Sequence, residues 1–227
     1  MRRRRHLIIF TRLPRLGLGK RRLAREIGAV AAWRFARGAL AVLLRRLAGD
    51  PRWDPALAVT PDRAARERGW PVATGRRGLR RSERGHFGQG GGDLGQRMAR
   101  ALRDRPAGPV VLIGSDIPHV RPQHIAAAFR SLGRHEFVFG PARDGGFWLV
   151  GARRTRALPR DLFAGVRWST AHALADTLAG LPPGTKVGLA ATMDDVDDRE
   201  SYRRVWIGCG ANTLPCRRPR KCASTVA

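Results

Sequence analysis

Short apolar runs, each followed by a longer stretch with helical periodicity, recur along this chain and leave few folds open to it. Residues 7–11, 57–60, 110–113, 137–139, 147–150 and 187–190 read as strands. The run Val110-Val111-Leu112-Ile113 is uninterrupted and rich in β-branched side chains, as expected of a strand buried on both faces. Between the runs, helices are expected over 20–47 with a break at Gly28, and over 95–103, 121–132 and 169–181. Thr60-Pro61-Asp62 reads as a cap followed by proline at the first helical position. Asp197 and Glu200 have capping-box spacing ahead of a last helix. Strands alternating with helices predict an α/β fold with a largely parallel, three-layer sheet. Residues 71–92 are Gly-, Arg- and Ser-rich without apolar period and are expected to form a loop. One domain is expected over 1–205, with a disordered tail over 206–227.

Several classes drop out on composition. Hydrophobic residues make up 43% of the chain, enough for a packed core. No apolar run approaches the ~20 residues of a membrane span. The basic start is followed by apolar residues only over 7–10, too few for a secretion signal, so a cytoplasmic location is expected. Cys209, Cys216 and Cys222 include no CxxC pair, arguing against a zinc site or a disulfide framework. The formal charge of +26 is almost all arginine, since Lys20, Lys186 and Lys221 are the only lysines. The arginines form no single stripe with interleaved aromatics. A nucleic-acid binder therefore ranks below an enzyme whose charge attracts an anionic substrate.

In a parallel sheet of this kind ligands bind beyond the carboxyl ends of the strands, so the segments following strands carry the candidate chemistry. After the first strand, Arg12, Gly17, Gly19, Lys20 and Arg22 make a basic glycine loop entering a helix, suited to phosphate oxygens. It is neither a Walker A loop nor a GxGxxG turn, and an ordinary basic turn is the competing reading. After 110–113 come Ser115 and Asp116, the carboxylate in position for a hard divalent cation, or alternatively a turn cap. The stretch Asp144-Gly145-Gly146-Phe147-Trp148 allows close backbone approach beside a carboxylate, with Trp148 offering an apolar face. A hairpin turn with a core tryptophan reads equally well. Residues 194–198 hold four of the chain's 18 acidic residues. In an extended segment Asp195 and Asp197 share a face, about 7 Å apart by strand rise, compatible with completing a metal site begun by Asp116. Arg167, in Gly165-Val-Arg-Trp-Ser-Thr170, is a further candidate substrate contact or the lead-in to a helix. Asp93 reads as a possible helix cap.

In this order the stretches 8–23, 89–98, 110–118, 140–151, 165–169 and 195–198 resemble a bacterial family of GT-A-like glycosyltransferases, long grouped as a domain of unknown function (DUF2064). That family is related to 2-phospho-lactate guanylyltransferases, and one branch is described as arsenosugar-biosynthesis or radical-SAM/selenodomain-associated transferases. The resemblance covers residues 6–205 and implies a GT-A, Rossmann-like fold with a mostly parallel mixed sheet. It also implies metal-dependent transfer from a nucleotide-activated donor. The family motifs fall on Lys20 and Arg22, Asp116, Asp144, and Asp195 with Asp197. Arg21 stands where the family has threonine, Arg143 and His119 where acidic residues are frequent, and Phe147 where tyrosine is common.

The leading expectation is a glycosyltransferase using a nucleotide-diphosphate sugar and a small-molecule acceptor. Asp116 with Asp195 or Asp197 would hold Mg²⁺ or Mn²⁺, and Lys20 and Arg22 would neutralise the departing diphosphate. Asp144 would position the acceptor or act as its base, with Gly145, Gly146, Trp148 and Arg167 lining the substrate site. The alternative is a nucleotidyltransferase, which would release pyrophosphate rather than a nucleoside diphosphate. Oligomeric state is not readable from these residues.

Overall fold

The computed structural model describes residues 4–67, 70 and 85–208. Seven strands form one sheet: β1 His6–Arg12, β2 Asp54–Thr60, β3 His86–Gly88, β4 Val110–Gly114, β5 Phe137–Pro141, β6 Phe147–Ala152 and β7 Val187–Leu189. Their spatial order is β3-β2-β1-β4-β6-β5-β7. All neighbouring pairs are parallel except those made by β6, which runs antiparallel to both β4 and β5. The expected mixed, mostly parallel sheet is what forms.

Among the described residues six helices complete the fold: α1 Arg21–Ile27, α2 Ala29–Leu47, α3 Leu94–Arg103, α4 Pro122–Ser131, α5 Ala173–Ala179 and α6 Arg199–Gly208. Side chains alternate across the sheet as a strand period of two requires. Leu7 and Ile9 of β1 pack with Leu40, Leu43 and Leu44 of α2 and Ile125 and Phe129 of α4. Ile8 faces the other way, with Met98, Ala99 and Leu102 of α3. A third, smaller core holds Leu23 of α1, Phe35 and Ala39 of α2, Val205 of α6 and Val196.

Four local expectations are corrected. Residues 86–88, placed in a loop by their lack of period, form β3, which is only three residues long and paired through the backbone to β2; residues 71–84 lie outside the described part of the chain. Thr60 is the last residue of β2, and Pro61 stands at the cap of a short 3-10 turn, Asp62–Arg66, instead of starting an α-helix. The helix expected from 169 begins at Ala173, because Ser169 adopts a positive φ that a helix excludes. At the last helix the cap is Asp198, whose carboxylate accepts from the Ser201 N–H at 2.8 Å, one residue beyond the Asp197–Glu200 pairing. That helix extends to Gly208, so the first residues of the expected tail are helical; residues 209–227, including all three cysteines, lie outside the described part.

Many arginines bond main-chain carbonyls in the fold. Arg154 reaches the carbonyls of Arg103, the last residue of α3, and of Arg105 and Pro106 beyond it, and Arg100 those of Gln89 and Gly91. Part of the large positive charge is therefore used in closing loops and helix ends.

Candidate active site

The carboxyl ends of β1–β5 and β7 lie on one rim of the sheet, joined there by the start of the reversed strand β6. The loops after β1, β4, β5 and β7 all emerge on this rim, and four of the candidate stations meet on it.

Lys20 is the centre of the meeting. It stands at the junction of the glycine loop and α1 with φ 46°, a left-handed conformation, directly after Gly17 and Gly19 at φ 78° and 80°. The side chain turns inward: Nζ donates to Asp116 Oδ2 at 2.8 Å, Asp197 Oδ1 at 2.6 Å and the Val196 carbonyl at 2.7 Å. An ammonium has three N–H donors, so these bonds use them all. The Lys20 side chain is 9% exposed, against 41% for Asp116 and 49% for Asp197. Burial alone would lower its pKa, but the two carboxylates outweigh burial and hold it above the usual lysine value. Lys20, a candidate phosphate contact, here neutralises the acidic pair.

Val196 explains why the acidic segment adopts this arrangement. Its side chain is fully buried in the small core with Leu23, Phe35 and Val205. In an extended segment that sends the residues on either side, Asp195 and Asp197, to the opposite face. The Val196 N–H donates to the Asp116 carbonyl at 3.3 Å, locking this segment to the loop after β4. Because Leu23 shares that core, the same packing brings the head of α1, and Lys20 with it, to the acidic residues.

Asp195 and Asp197 are hydrogen-bonded to each other and titrate as a pair. Burial, with the nearby charges of Asp197 and Asp144, pushes Asp195 up to about 7. Asp197, which burial would raise, is held below the usual carboxylate range by Lys20. The proton of the pair therefore resides on Asp195. Asp194 stands apart, ion-paired with Nε of Arg143 at 3.1 Å.

Asp144 sits in the turn joining β5 to β6, as the hairpin reading of this stretch has it. Its Oδ1 accepts from the Gly146 N–H at 2.9 Å. Gly145, at φ 85°, has no room for a β-carbon, which would lie 2.5 Å from the carbonyl carbon of Ala171. The turn is thereby pressed against the segment leading into α5, and Leu174 N–H bonds the Gly145 carbonyl at 3.0 Å.

Other candidates fall outside this cluster. Trp148 is buried, with Nε1 bonded to the Ala191 carbonyl at 2.9 Å, and offers no open face. Arg167 gives Nε and Nη2 to the Asp176 carboxylate, both at 2.8 Å, clamping its own loop to α5. Asp93 is a helix cap, in a capping box with Gln96. Arg12 and Arg22 are exposed on the rim, and Ser115 lies beside Asp116. Arg22 is close enough for its charge to act on Asp197.

One residue not singled out beforehand is Gln89. It is buried, donates from Nε2 to the carbonyls of Thr11 and Ala58, and accepts from Arg97 at Oε1, joining the ends of β1, β2 and β3 beneath the rim. A glutamine just before a run of glycines was its signal in the sequence.

The donor set suits a hard divalent cation: two carboxylates already converge on a cationic group, and each is partly open to solvent. Among the described residues no group of three or more His, Cys, Asp or Glu forms a ready cage. Remaining ligands would thus come from a substrate's phosphates and water, as is usual for Mg²⁺. Among the described residues no helix is long and apolar enough to cross a membrane.

A search of curated proteins finds no match to this chain. Among solved structures, it is similar to a protein from Desulfovibrio desulfuricans G20 provisionally described as a nucleotide-diphospho-sugar transferase. The two are 25% identical with a TM-score of 0.78, over 92% of this chain and 89% of that one. It shares the fold of 4-diphosphocytidyl-2C-methyl-D-erythritol synthase from Anaerococcus prevotii DSM 20548, at 9% identity and a TM-score of 0.55, over 91% and 96% of the two chains. The model of the family described as "Uncharacterized protein conserved in bacteria (DUF2064)" matches residues 43–170, a span holding both Asp116 and Asp144, and the chain belongs to that family.

Proposed function

We propose that this protein is a transferase acting on a nucleotide substrate, and specifically that it moves a sugar from a nucleoside diphosphate sugar to a small acceptor. The observation that carries this reading is the convergence of Lys20, Asp116 and Asp197 within hydrogen-bonding distance at the carboxyl rim of the sheet. The likeness to the Desulfovibrio protein supports the choice of donor.

The loop 12–19, with Arg12 and Arg22 on the rim, receives the diphosphate. Gly17 and Gly19 keep its backbone free of side chains where the phosphates approach. Asp116 and Asp197 would hold Mg²⁺ or Mn²⁺ against the phosphate oxygens, where such an ion stabilises charge developing on the leaving diphosphate. Asp195, pushed up to about 7, is partly protonated at neutral pH and so limits the negative charge of the cluster. Asp144, whose Oδ1 is held by the Gly146 N–H, has Oδ2 left to accept the proton of an acceptor hydroxyl. The rigid turn sets the direction from which that hydroxyl approaches.

The test begins with thermal shifts across nucleotides and nucleotide sugars, with and without Mn²⁺, since a ligand bound to the native state raises its apparent stability. A donor so identified should release a nucleoside diphosphate on turnover. Asp116→Ala should keep the fold and lose turnover; an unchanged rate would remove Asp116 from the site. Pyrophosphate released from a nucleoside triphosphate would instead assign nucleotidyl transfer.

A further inference from the structure

We infer that Lys20 is an internal counter-ion that keeps a divalent cation from the Asp116–Asp197 pair until a nucleotide's phosphates draw it away, so that cation and nucleotide bind as a unit. This rests on the proposed metal-and-nucleotide reading and concerns how that site is loaded.

The geometry carries the inference. Nζ is bonded to the two carboxylates a divalent ion would use and to the carbonyl between Asp195 and Asp197. With three donors and three acceptors at 2.6–2.8 Å, the ammonium is saturated and nearly removed from water. A dication approaching the same oxygens meets a positive charge only a few ångströms away, well inside a Debye length. Displacing the ammonium with nothing to receive it would strand a buried charge, which is costly.

A diphosphate removes that obstacle. Lys20 ends the glycine loop and carries a flexible four-carbon stem, so anionic oxygens seated on the loop lie within reach of Nζ. Transfer of the ammonium to phosphate leaves Asp116 and Asp197 without a partner, and the divalent ion then takes its place. Coupling of this kind is reciprocal: the nucleotide raises cation affinity, and the cation raises nucleotide affinity, by the same factor.

The experiment is a Mn²⁺ titration followed by electron paramagnetic resonance, using wild-type protein and Lys20→Met, each with and without a nucleoside diphosphate. Free metal–nucleotide complex is accounted for in a protein-free control. Lys20→Met alone should bind Mn²⁺ at least about tenfold more tightly than wild type alone, or about 1.4 kcal/mol, and should gain much less from added nucleotide. Equal affinity of the two nucleotide-free proteins would overturn the inference while leaving the metal reading standing. No Mn²⁺ binding to either protein, even with nucleotide, would overturn both.

A second measurement needs no variant. The chain has three lysines, Lys20, Lys186 and Lys221, so side-chain ¹⁵N spectra of lysine-labelled wild type are simple to read. The Lys20 resonance should move on adding nucleoside diphosphate and stay in place with Mg²⁺ alone. A shift caused by Mg²⁺ alone, or none with nucleotide, would overturn the inference.

Discussion

Replacing Gly145 by alanine separates two effects that glycine usually combines. An L-residue at φ 85° carries a left-handed penalty of about 1–2 kcal/mol. At Gly145 the new methyl also meets the backbone of Ala171, with the carbonyl carbon 2.5 Å away, a contact no side-chain rotation relieves. The turn must lift off the segment before α5, weakening the Leu174–Gly145 hydrogen bond, worth about 1 kcal/mol, and adding overpacking strain of about 1–3 kcal/mol. Gly165 is the matched control: its φ is 70°, yet nothing lies within 4 Å of an added β-carbon. Gly165→Ala should therefore show the dihedral penalty alone. Gly145→Ala should cost about 2 kcal/mol more, which for a chain of this size separates the two melting temperatures by roughly 4–8 °C. Thermal unfolding followed by circular dichroism measures both. Equal destabilisation of the two variants would refute the packing of the turn against Ala171, and with it the rigid placement of Asp144.

Asp198→Ala should cost about 1 kcal/mol, read as a lower melting temperature, because it removes the cap that accepts from Ser201 N–H at 2.8 Å. Asp195, at about 7 in the folded protein, lies above the ~3.9 of an unfolded aspartate, so its contribution to stability is complete below about pH 4 and fades as pH rises through 7. Asp195→Asn should accordingly show a smaller fall in melting temperature between pH 5 and 8 than wild type; parallel curves would count against the assignment. Burial, and then the charge of Arg105, lower the pKa of His6, so the buried ring favours the neutral form. Stability should decline as pH falls below about 6.5, where the unfolded chain takes up the proton, and His6→Gln should flatten that decline in a pH series of melts.

The parallel half of the sheet was legible because its strands are apolar runs whose buried faces leave no other reading, and Asp116 followed from its place at the end of one of them. β3 was not, since three residues paired to a neighbour through the backbone carry no pattern of their own. The acidic quartet was visible, but the division of labour inside it was not. Asp197 turned out to be free for Lys20 because the helix cap falls on Asp198, and a capping-box spacing one residue earlier concealed this. Likewise, a lysine in a glycine loop suggests phosphate; that its ammonium folds inward depends on Leu23 and Val196 sharing a core across more than 170 residues of sequence. Trp148 and Arg167 were ambiguous for the opposite reason. Their chemistry suits a ligand, and only the Ala191 carbonyl and Asp176 reveal that it is already taken.

The reversal of β6 gives the two sides of the rim different kinds of connection. A parallel strand there would need a long crossover, whereas the antiparallel one is reached through residues 142–146 alone. That short connector is fixed by its own contacts, the Leu174–Gly145 hydrogen bond and the backbone of Ala171, and not by the strands that carry the glycine loop and Asp116. Asp144 and the glycine loop are thereby mounted on separately anchored stretches of chain, so a small shift of one need not carry the other with it.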